Sequence, residues 1–271
     1  MILVELRKLY RRPRTLVSLA LLCGLPLAVA ILLATTRIGT AAAQGPPFLS
    51  AVLSNGSLFP AAALAIVLPL FLPVSVAIIG GDAVAGEAAA GTLRYLVARP
   101  VGRTRLLLAK LVSIMVYVLG AVVAVVLSGY VIGLSLFPAQ PGAEVVTSVS
   151  GPALTPQQVI LRIGAATLYV ALSMLGVGAI ALFLSTVSDS SLGATLGALA
   201  ALVASQLFTA LDAAAAIRPY LPTRYWLAWI DFFREPILWR DIERGVGIQV
   251  VHVAVFLGLA WANFATKDIT S

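Results

Sequence analysis

The chain has 271 residues, of which 61% are hydrophobic and only 11% charged, and its formal net charge is +7. Soluble globular proteins carry about 25% charged residues, so this composition excludes a soluble protein and requires lipid as the solvent for most of the chain. The basic residues border apolar segments, as they do beside an anionic membrane surface, which argues against nucleic-acid binding. A lone cysteine, Cys23, excludes an internal disulfide or zinc framework.

Residues 1–14 predict an amphipathic helix that lies at the membrane interface. Its apolar side chains share one helical face and its charged side chains another, and Pro13 discourages helix at the residue before it. The basic residues expected to anchor it at the membrane surface are Arg7, Lys8, Arg11 and Arg12. An apolar run without a convincing cleavage site follows, so we expect an uncleaved first span.

Six apolar stretches are long enough to cross a hydrocarbon layer of about 30 Å as helices. They cover approximately residues 16–35, 58–80, 111–134, 163–184, 192–211 and 246–264. Lysine and arginine concentrate in residues 1–14 and 81–110, which favours a cytoplasmic N-terminus and C-terminus. The sequence therefore predicts one all-α, polytopic membrane domain over residues 1–271.

The segment between the second and third spans, residues 81–110, has an unusual composition for a loop. Alanines and leucines over 87–97 predict a short cytoplasmic helix with an apolar docking face, and the preceding glycines allow close backbone packing. Pro100 ends this helix, and we expect the Lys110 side chain to extend back to the headgroups where the third span begins.

Several polar residues interrupt the last spans. Gln206 and the only histidine, His252, fall within spans, where a polar group either contacts a substrate or proton pathway or bonds to a neighbouring helix. We interpret Asp189 as the N-cap of the fifth helix, and Gly193 with Gly197 as a G-x-x-x-G packing surface.

The outer segment, residues 212–245, is rich in aromatic residues mixed with charges. Trp226, Trp229 and Phe233 recur at helical spacing. Two interpretations remain open, namely an aromatic anchor at the outer membrane interface and a gate over a transport pathway.

The loop motif resembles the cytoplasmic signature of ATP-binding-cassette (ABC) type-2 permeases. That signature usually reads E-x-x-x-G-T-L-x-x-L-L-x-x-P-x-x-R, with a lysine about seven residues on. The matching positions, with the acidic residue before them, are Asp82, Glu87, Gly91, Thr92, Leu93, Leu96, Pro100, Arg103 and Lys110. Val97 replaces the second leucine of the pair, and alanines occupy 88–90, where relatives often carry charges. The resemblance extends more loosely to the basic N-terminal helix and the C-terminal end.

The resemblance implies a permease subunit whose coupling helix docks in a groove of a separate ATPase subunit. Two ATPase copies would bind ATP and Mg²⁺, and a second permease, identical or related, would complete the complex in a prokaryotic plasma membrane. The sequence has no G-x-x-x-x-G-K-[ST] phosphate loop, so we expect no ATPase activity, cofactor or metal in this chain.

Two functions are compatible with this resemblance. The first is export of an amphipathic or hydrophobic substrate, which apolar span walls favour. The alternative is a membrane transducer that moves an extracytoplasmic partner protein. An intramembrane protease would need paired carboxylates or a histidine-rich metal site in its spans, and the sequence has neither.

Overall fold

A computed structural model describes residues 2–35, 55–91, 102–138 and 146–266. The chain begins with helix α1, Ile2–Arg11, and continues into helix α2, Pro13–Thr35. The break falls at Arg12, where the sequence predicts it, because the ring of Pro13 disfavours helical backbone at the preceding residue. Proline is well suited to the first position of α2, where no intrahelical partner exists for an N–H group.

The second span, expected as one helix over residues 58–80, is broken. A 3-10 turn, Gly56–Leu58, leads into α3, Phe59–Val67, and α4 follows at Phe71–Asp82. The two helical parts are bent by 59°. Pro69 and Pro73 explain the bend, because each lacks the N–H that would continue the hydrogen-bond ladder and its ring clashes with the preceding turn.

Of the remaining helices, α5 is short, and the other four match the last four predicted spans and extend beyond most of their ends. They are α5, Ala85–Ala89; α6, Arg103–Leu136; α7, Pro156–Val187; α8, Ser191–Ala210; and α9, Trp239–Thr266. Thr155 caps α7 in a reciprocal capping box with Gln158. The N-cap of α8 is Ser190, whose hydroxyl accepts from the Gly193 N–H, so the assignment of that cap to Asp189 is wrong by one residue.

Helix α7 lies at the centre of the bundle and packs against α4, α6, α8 and α9. Its apolar window is 72% buried, whereas those of α2 and α9 are each 17% buried and form the periphery. Asp82, Lys110 and Ser185 lie at one end of the bundle, which we call the loop end. The opposite end, which carries residues 146–155 and 211–238, is the cap end.

The cap end is folded over the helices. The strands β1, Val146–Thr147, and β2, Ala153–Leu154, form a small antiparallel hairpin, a minor exception to the predicted all-α class. Three 3-10 segments, Asp212–Ala214, Arg218–Tyr220 and Ala228–Phe233, follow α8. Val149 N–H donates to the Phe233 carbonyl at 2.9 Å, so the hairpin and the aromatic segment form one layer.

The backbone of α6 closely approaches the start of the second span. A Cβ added to Gly133 would lie 2.1 Å from the Gly56 carbonyl oxygen, so no larger residue fits there. At Gly197, by contrast, an added Cβ would meet only the Leu184 side chain, at 3.4 Å. Within the described ranges, α6 thus makes a tight small-residue contact that Gly197 of the G-x-x-x-G on α8 does not make.

Five helices among the described residues are long and apolar enough to cross a membrane, namely α2, α6, α7, α8 and α9. The bent pair α3 and α4 supplies a sixth crossing when it is counted as one span. The predicted outer loop over residues 36–54 lies outside the described residues.

Candidate functional site

Seven charged side chains meet at the loop end, and we call them the charge cluster. They come from α1, the break at Arg12, α2, α4, α5 and α6, and they are Glu5, Lys8, Arg12, Arg14, Asp82, Glu87 and Lys110. Four are basic and three acidic, so the cluster carries one net positive charge. It joins the N-terminal helix, the loop and the third span, which are far apart in sequence.

Glu87 is the innermost member, with 1% of its surface exposed. Its Oε1 accepts a hydrogen bond from Lys110 Nζ at 2.5 Å and another from Lys8 Nζ. Lys110 Nζ also donates to Glu5 Oε2 at 2.9 Å. A buried carboxylate is costly unless it is paired, and the two lysines supply that pairing.

The expectation that Lys110 extends to the lipid headgroups is therefore wrong. Its side chain is 4% exposed and is held between two carboxylates. The physical reason is that the Lys110 ammonium group reaches the buried carboxylates of Glu87 and Glu5, which would be costly without a cation beside them.

Asp82 forms the second half of the cluster, at the end of α4. Its carboxylate pairs with Arg12 and, at 2.8 Å, with Arg14 Nη1. The Ser191 hydroxyl donates to Asp82 Oδ1 at 2.7 Å, which places the carboxylate beside the N-terminus of α8, where a negative charge is favoured. Asp82 thus links the starts of α2 and α8 to the end of the second span.

Ser185 fixes the turn between α4 and α5, and the sequence interpretation did not include it. Its buried hydroxyl accepts from the N–H groups of Val84 and Ala85, both at 2.9 Å, and donates to the Gly81 carbonyl at 2.7 Å. A single serine on α7 therefore satisfies three backbone groups where the helix is interrupted. The serine at the end of a span next to a glycine-rich turn is the only sequence signal for this role.

The predicted helix over 87–97 is interrupted after its first turn. Helix α5 ends at Ala89, and Gly91 has φ +66°, a left-handed conformation that glycine adopts without steric cost. Ala89, Ala90 and Gly91 are exposed. The other motif residues Thr92, Leu93, Leu96 and Pro100 lie outside the described residues.

Arg103 follows the loop and begins α6. Its guanidinium donates to the Phe264 and Ala265 carbonyls at 3.2 and 3.1 Å. These carbonyls belong to the last turn of α9 and have no partner within that helix, so Arg103 caps it.

The residues predicted to anchor the chain at the membrane surface divide into two groups. Arg7 and Arg11 are exposed on α1. Lys8 and Arg12 turn instead into the charge cluster, where Glu87 and Asp82 neutralise them. Helix α1 is therefore held to the bundle by ion pairs as well as by its apolar face.

Trp226 and Trp229 are buried inside the cap end, with 3% and 1% of their surface exposed. Trp229 packs edge-to-face on Phe233, with ring centroids 6.1 Å apart. The interpretation of these two tryptophans as lipid-facing anchors is therefore wrong. Their side chains instead pack between the aromatic segment and the helices. Trp239, by contrast, is 53% exposed and remains suited to an interface. Their role in a gate stays a prediction.

Gln206 is exposed on α8, and His252 is half-buried on α9. His252 Nδ1 lies 2.9 Å from the Ile248 carbonyl of its own helix, and its ring stacks on Phe256. The expected bond to a neighbouring helix is thus absent from the described contacts of His252. A role of either residue in a transport pathway stays a prediction.

Two buried polar residues at the cap end escaped the sequence interpretation. Arg162 pairs with Glu235 and donates to the Arg234 carbonyl at 2.9 Å, and Gln249 donates to the Pro222 carbonyl at 2.6 Å. For Gln249 the available signal was a polar side chain inside a predicted span, whereas Arg162 directly precedes the predicted span 163–184. Both residues fasten the aromatic segment to the helices.

No group of three or more histidine, cysteine, aspartate or glutamate side chains that could hold a metal ion occurs in the described ranges. The acidic residues of the charge cluster are each paired with basic side chains. The charge cluster thus links helices to one another through ion pairs.

The helices and the loop-end cluster define a mostly helical, multi-pass membrane protein. The family described as "Protein of unknown function (DUF2705)" matches residues 27–270, and the chain belongs to this family. The match includes Asp82, Glu87 and Lys110 and begins after the basic residues of α1. No curated protein is detectably similar to the chain.

Proposed function

We propose that this protein is the membrane-spanning permease subunit of an ABC-type exporter in a prokaryotic plasma membrane. The loop end faces the cytoplasm and receives a separate ATPase subunit, which binds ATP and Mg²⁺. Two ATPase copies act on a pair of permeases, the second being a copy of this chain or a related one. The substrate is amphipathic or hydrophobic.

The observation that carries this proposal is the attachment of the short helix α5 to the rest of the bundle. Glu87 ties it to α1 and α6, and Ser185 ties the preceding turn to α7. Just before α5, Asp82 ties the end of α4 to α2 and α8. A displacement of α5 would therefore be transmitted to most of the spans, as a coupling element requires.

The geometry also separates two roles within the loop motif. Glu87 is buried and acts as an internal anchor that positions α5, so we assign it no direct contact with the ATPase. The exposed residues Ala89, Ala90 and Gly91 form the surface that contacts the ATPase subunit. Their small side chains let the end of the helix enter a groove closely.

The substitution Ala89→Arg tests the docking surface. Because Ala89 is exposed, the bundle should fold normally, while the larger charged side chain should block entry into the groove. We expect the amount of co-purified cassette ATPase subunit and the stimulation of its ATP hydrolysis to fall at least about tenfold, the loss of ~1.4 kcal/mol of binding free energy. Ala213→Arg, at an exposed site of the cap end, is the control. Equal ATPase recovery and stimulation in both variants would contradict docking at α5.

The variant Glu87→Gln tests the internal anchor. We expect the ATPase subunit to remain bound, because the exposed surface is intact, while stimulation of hydrolysis and transport decline. Glu87→Ala should have the stronger effect because it also leaves a cavity. If both variants keep wild-type stimulation, Glu87 has no part in coupling.

The transducer alternative uses the same loop end and differs only in what the cap end moves. Reconstituted vesicles that contain the permease and its ATPase separate the two functions. ATP-dependent movement of an amphipathic fluorescent dye across the membrane supports export. ATP hydrolysis that no amphiphile stimulates, together with a requirement for an extracytoplasmic protein, supports the transducer.

A further inference from the structure

A second polar site lies at the cap end, on the opposite side of the bundle from the charge cluster. It is an open pocket of about 560 Å³ between the start of α9 and the segment that follows α8. We call it the arginine pocket, because its walls include Arg218, Arg224 and Arg244, together with Tyr220 and Tyr225. Its volume lies in the range of about 300–1,000 Å³ that is usual for small-molecule sites.

The pocket carries uncompensated positive charge. Arg218 donates to the Leu211 carbonyl at 2.9 Å and pairs with Asp212 at 3.2 Å. The Arg224 guanidinium lies 5.7 Å from the ring centroid of Tyr225, and among the described residues neither the Arg224 nor the Arg244 side chain makes a hydrogen bond or ion pair. Two guanidinium groups therefore face the pocket without a carboxylate.

The nearest acidic residues on α9, Asp241 and Glu243, are exposed and do not line the pocket. These two carboxylates lower the positive electrostatic potential around the arginines, but they do not neutralise the guanidinium groups inside the pocket. A planar guanidinium with several free donors is the protein group best suited to a phosphate, which it binds through two parallel hydrogen bonds.

The wall of the pocket is firmly built. The Tyr169 hydroxyl of α7 donates to the Tyr225 carbonyl at 2.7 Å, and Gln249 of α9 donates to the Pro222 carbonyl at 2.6 Å. On α8, Ser205 shares a 2.7 Å hydrogen bond with Thr223. Three helices thus hold residues 222–225 in place. A ligand therefore binds a pocket wall that is already ordered, which lowers the entropic cost of binding.

The position of the pocket indicates where its ligand comes from. Gly247 and Ile248 of α9 line it, and on the same helix Val250 and Val251 are more than half exposed. These valines belong to a helix long and apolar enough to cross a membrane, where exposed apolar side chains are suited to contact with lipid. With α9 in a membrane, a group in the pocket would lie next to this apolar face, at the level where headgroups meet acyl chains.

We propose that the arginine pocket binds the phosphate headgroup of an anionic membrane lipid. The phosphate lies between Arg224 and Arg244, and the acyl chains run along the exposed apolar face of α9. This site does not depend on the proposed exporter function, because it requires only that α9 crosses a membrane.

The test uses the purified full-length chain in a neutral detergent. Its thermal unfolding midpoint is measured against rising concentrations of short-chain phosphatidylglycerol, short-chain phosphatidylcholine and inorganic phosphate. A ligand that binds only the folded state raises the midpoint in a saturable way, which yields an apparent Kd. The variants are Arg224→Gln and Arg244→Gln, and the control is Arg240→Gln, an exposed arginine of α9 outside the pocket.

We expect phosphatidylglycerol to stabilise the wild-type chain saturably and phosphatidylcholine to have little effect. Arg224→Gln and Arg244→Gln should each weaken the apparent affinity about five- to tenfold, whereas Arg240→Gln should keep it within about twofold. An equal loss in Arg240→Gln would show diffuse surface charge and overturn the proposal. So would an equal response to phosphatidylcholine, or full stabilisation by inorganic phosphate alone, which would indicate a site for a free anion.

Discussion

Replacing Lys110 by methionine removes the cation that the charge cluster holds between Glu5 and Glu87. The methionine keeps most of the apolar stem, so the change isolates the charge. Lys110 is 4% exposed and Glu87 2% exposed in their side chains, and breaking such a buried pair leaves a carboxylate without its main partner. The usual cost is about 3–5 kcal/mol.

The expected effect on unfolding follows from that cost. Lys8 still contacts Glu87 in the variant, so the lower figure of about 3 kcal/mol applies. For a chain of this size each kcal/mol lowers the unfolding midpoint by roughly 2–4 °C, which gives a decrease of about 6–12 °C. Far-UV circular dichroism of the detergent-solubilised chain measures it during heating.

The double variant Glu87→Gln with Lys110→Met provides the decisive comparison. Removing both charges should cost less than the sum of the two single changes, by about 1–2 kcal/mol, because Glu87 and Lys110 are no longer left buried one without the other. Glu5 loses Lys110 in the single and the double variant alike, so its contribution cancels. Arg105→Met, at an exposed site of the same helix, is the control and should change the midpoint little. Our reasoning fails if Lys110→Met resembles this control or if the single effects are additive.

Three further changes probe the attachment of the loop end and of the cap end, each by unfolding midpoint. Ser185→Ala should cost about 2–3 kcal/mol because it leaves two buried N–H groups and a carbonyl unsatisfied, whereas Ser135→Ala, which loses only a bond to its own helix, should be nearly neutral. Gly81→Ala should cost about 1–3 kcal/mol, since its Cβ would lie 2.5 Å from a threonine hydroxyl of α8, while Gly258→Ala, with nothing within 4 Å, should be tolerated. Arg162→Met should cost about 1–3 kcal/mol, because the Arg234 carbonyl loses its donor while the half-exposed Glu235 can be hydrated, and it should increase protease cleavage in the aromatic segment; unchanged proteolysis would show that the segment is held by other contacts.

The sequence predicted the number and approximate location of the apolar helices well. Long runs of apolar residues are readable because hydrocarbon demands a fixed helix length, whatever the neighbours are. The break between α1 and α2 was also readable, because it depends only on the local chemistry of Pro13. The bend in the second span was missed even though Pro69 and Pro73 are visible in the sequence, since proline within a span is often tolerated by local adjustment.

The candidate site was predictable in part. The spacing of Asp82 and Glu87 drew attention to the loop, but it could not show that their charges are directed inward. That result depends on Lys8 and Lys110, which lie 79 and 23 residues from Glu87 along the chain. As isolated residues next to spans, both lysines are ordinary membrane-surface anchors.

The sequence by itself determined that this protein is a multi-pass helical membrane protein, because the solvent requirements of lipid act on each segment separately. It also identified residues 81–110 as the segment in which a resemblance to a known class is concentrated. Only the tertiary structure decided that Glu87 anchors the loop from inside and that residues 89–91 are presented outward. It likewise decided that Arg224 and Arg244 share one pocket, since pairing between charges depends on distances that only the packed helices fix.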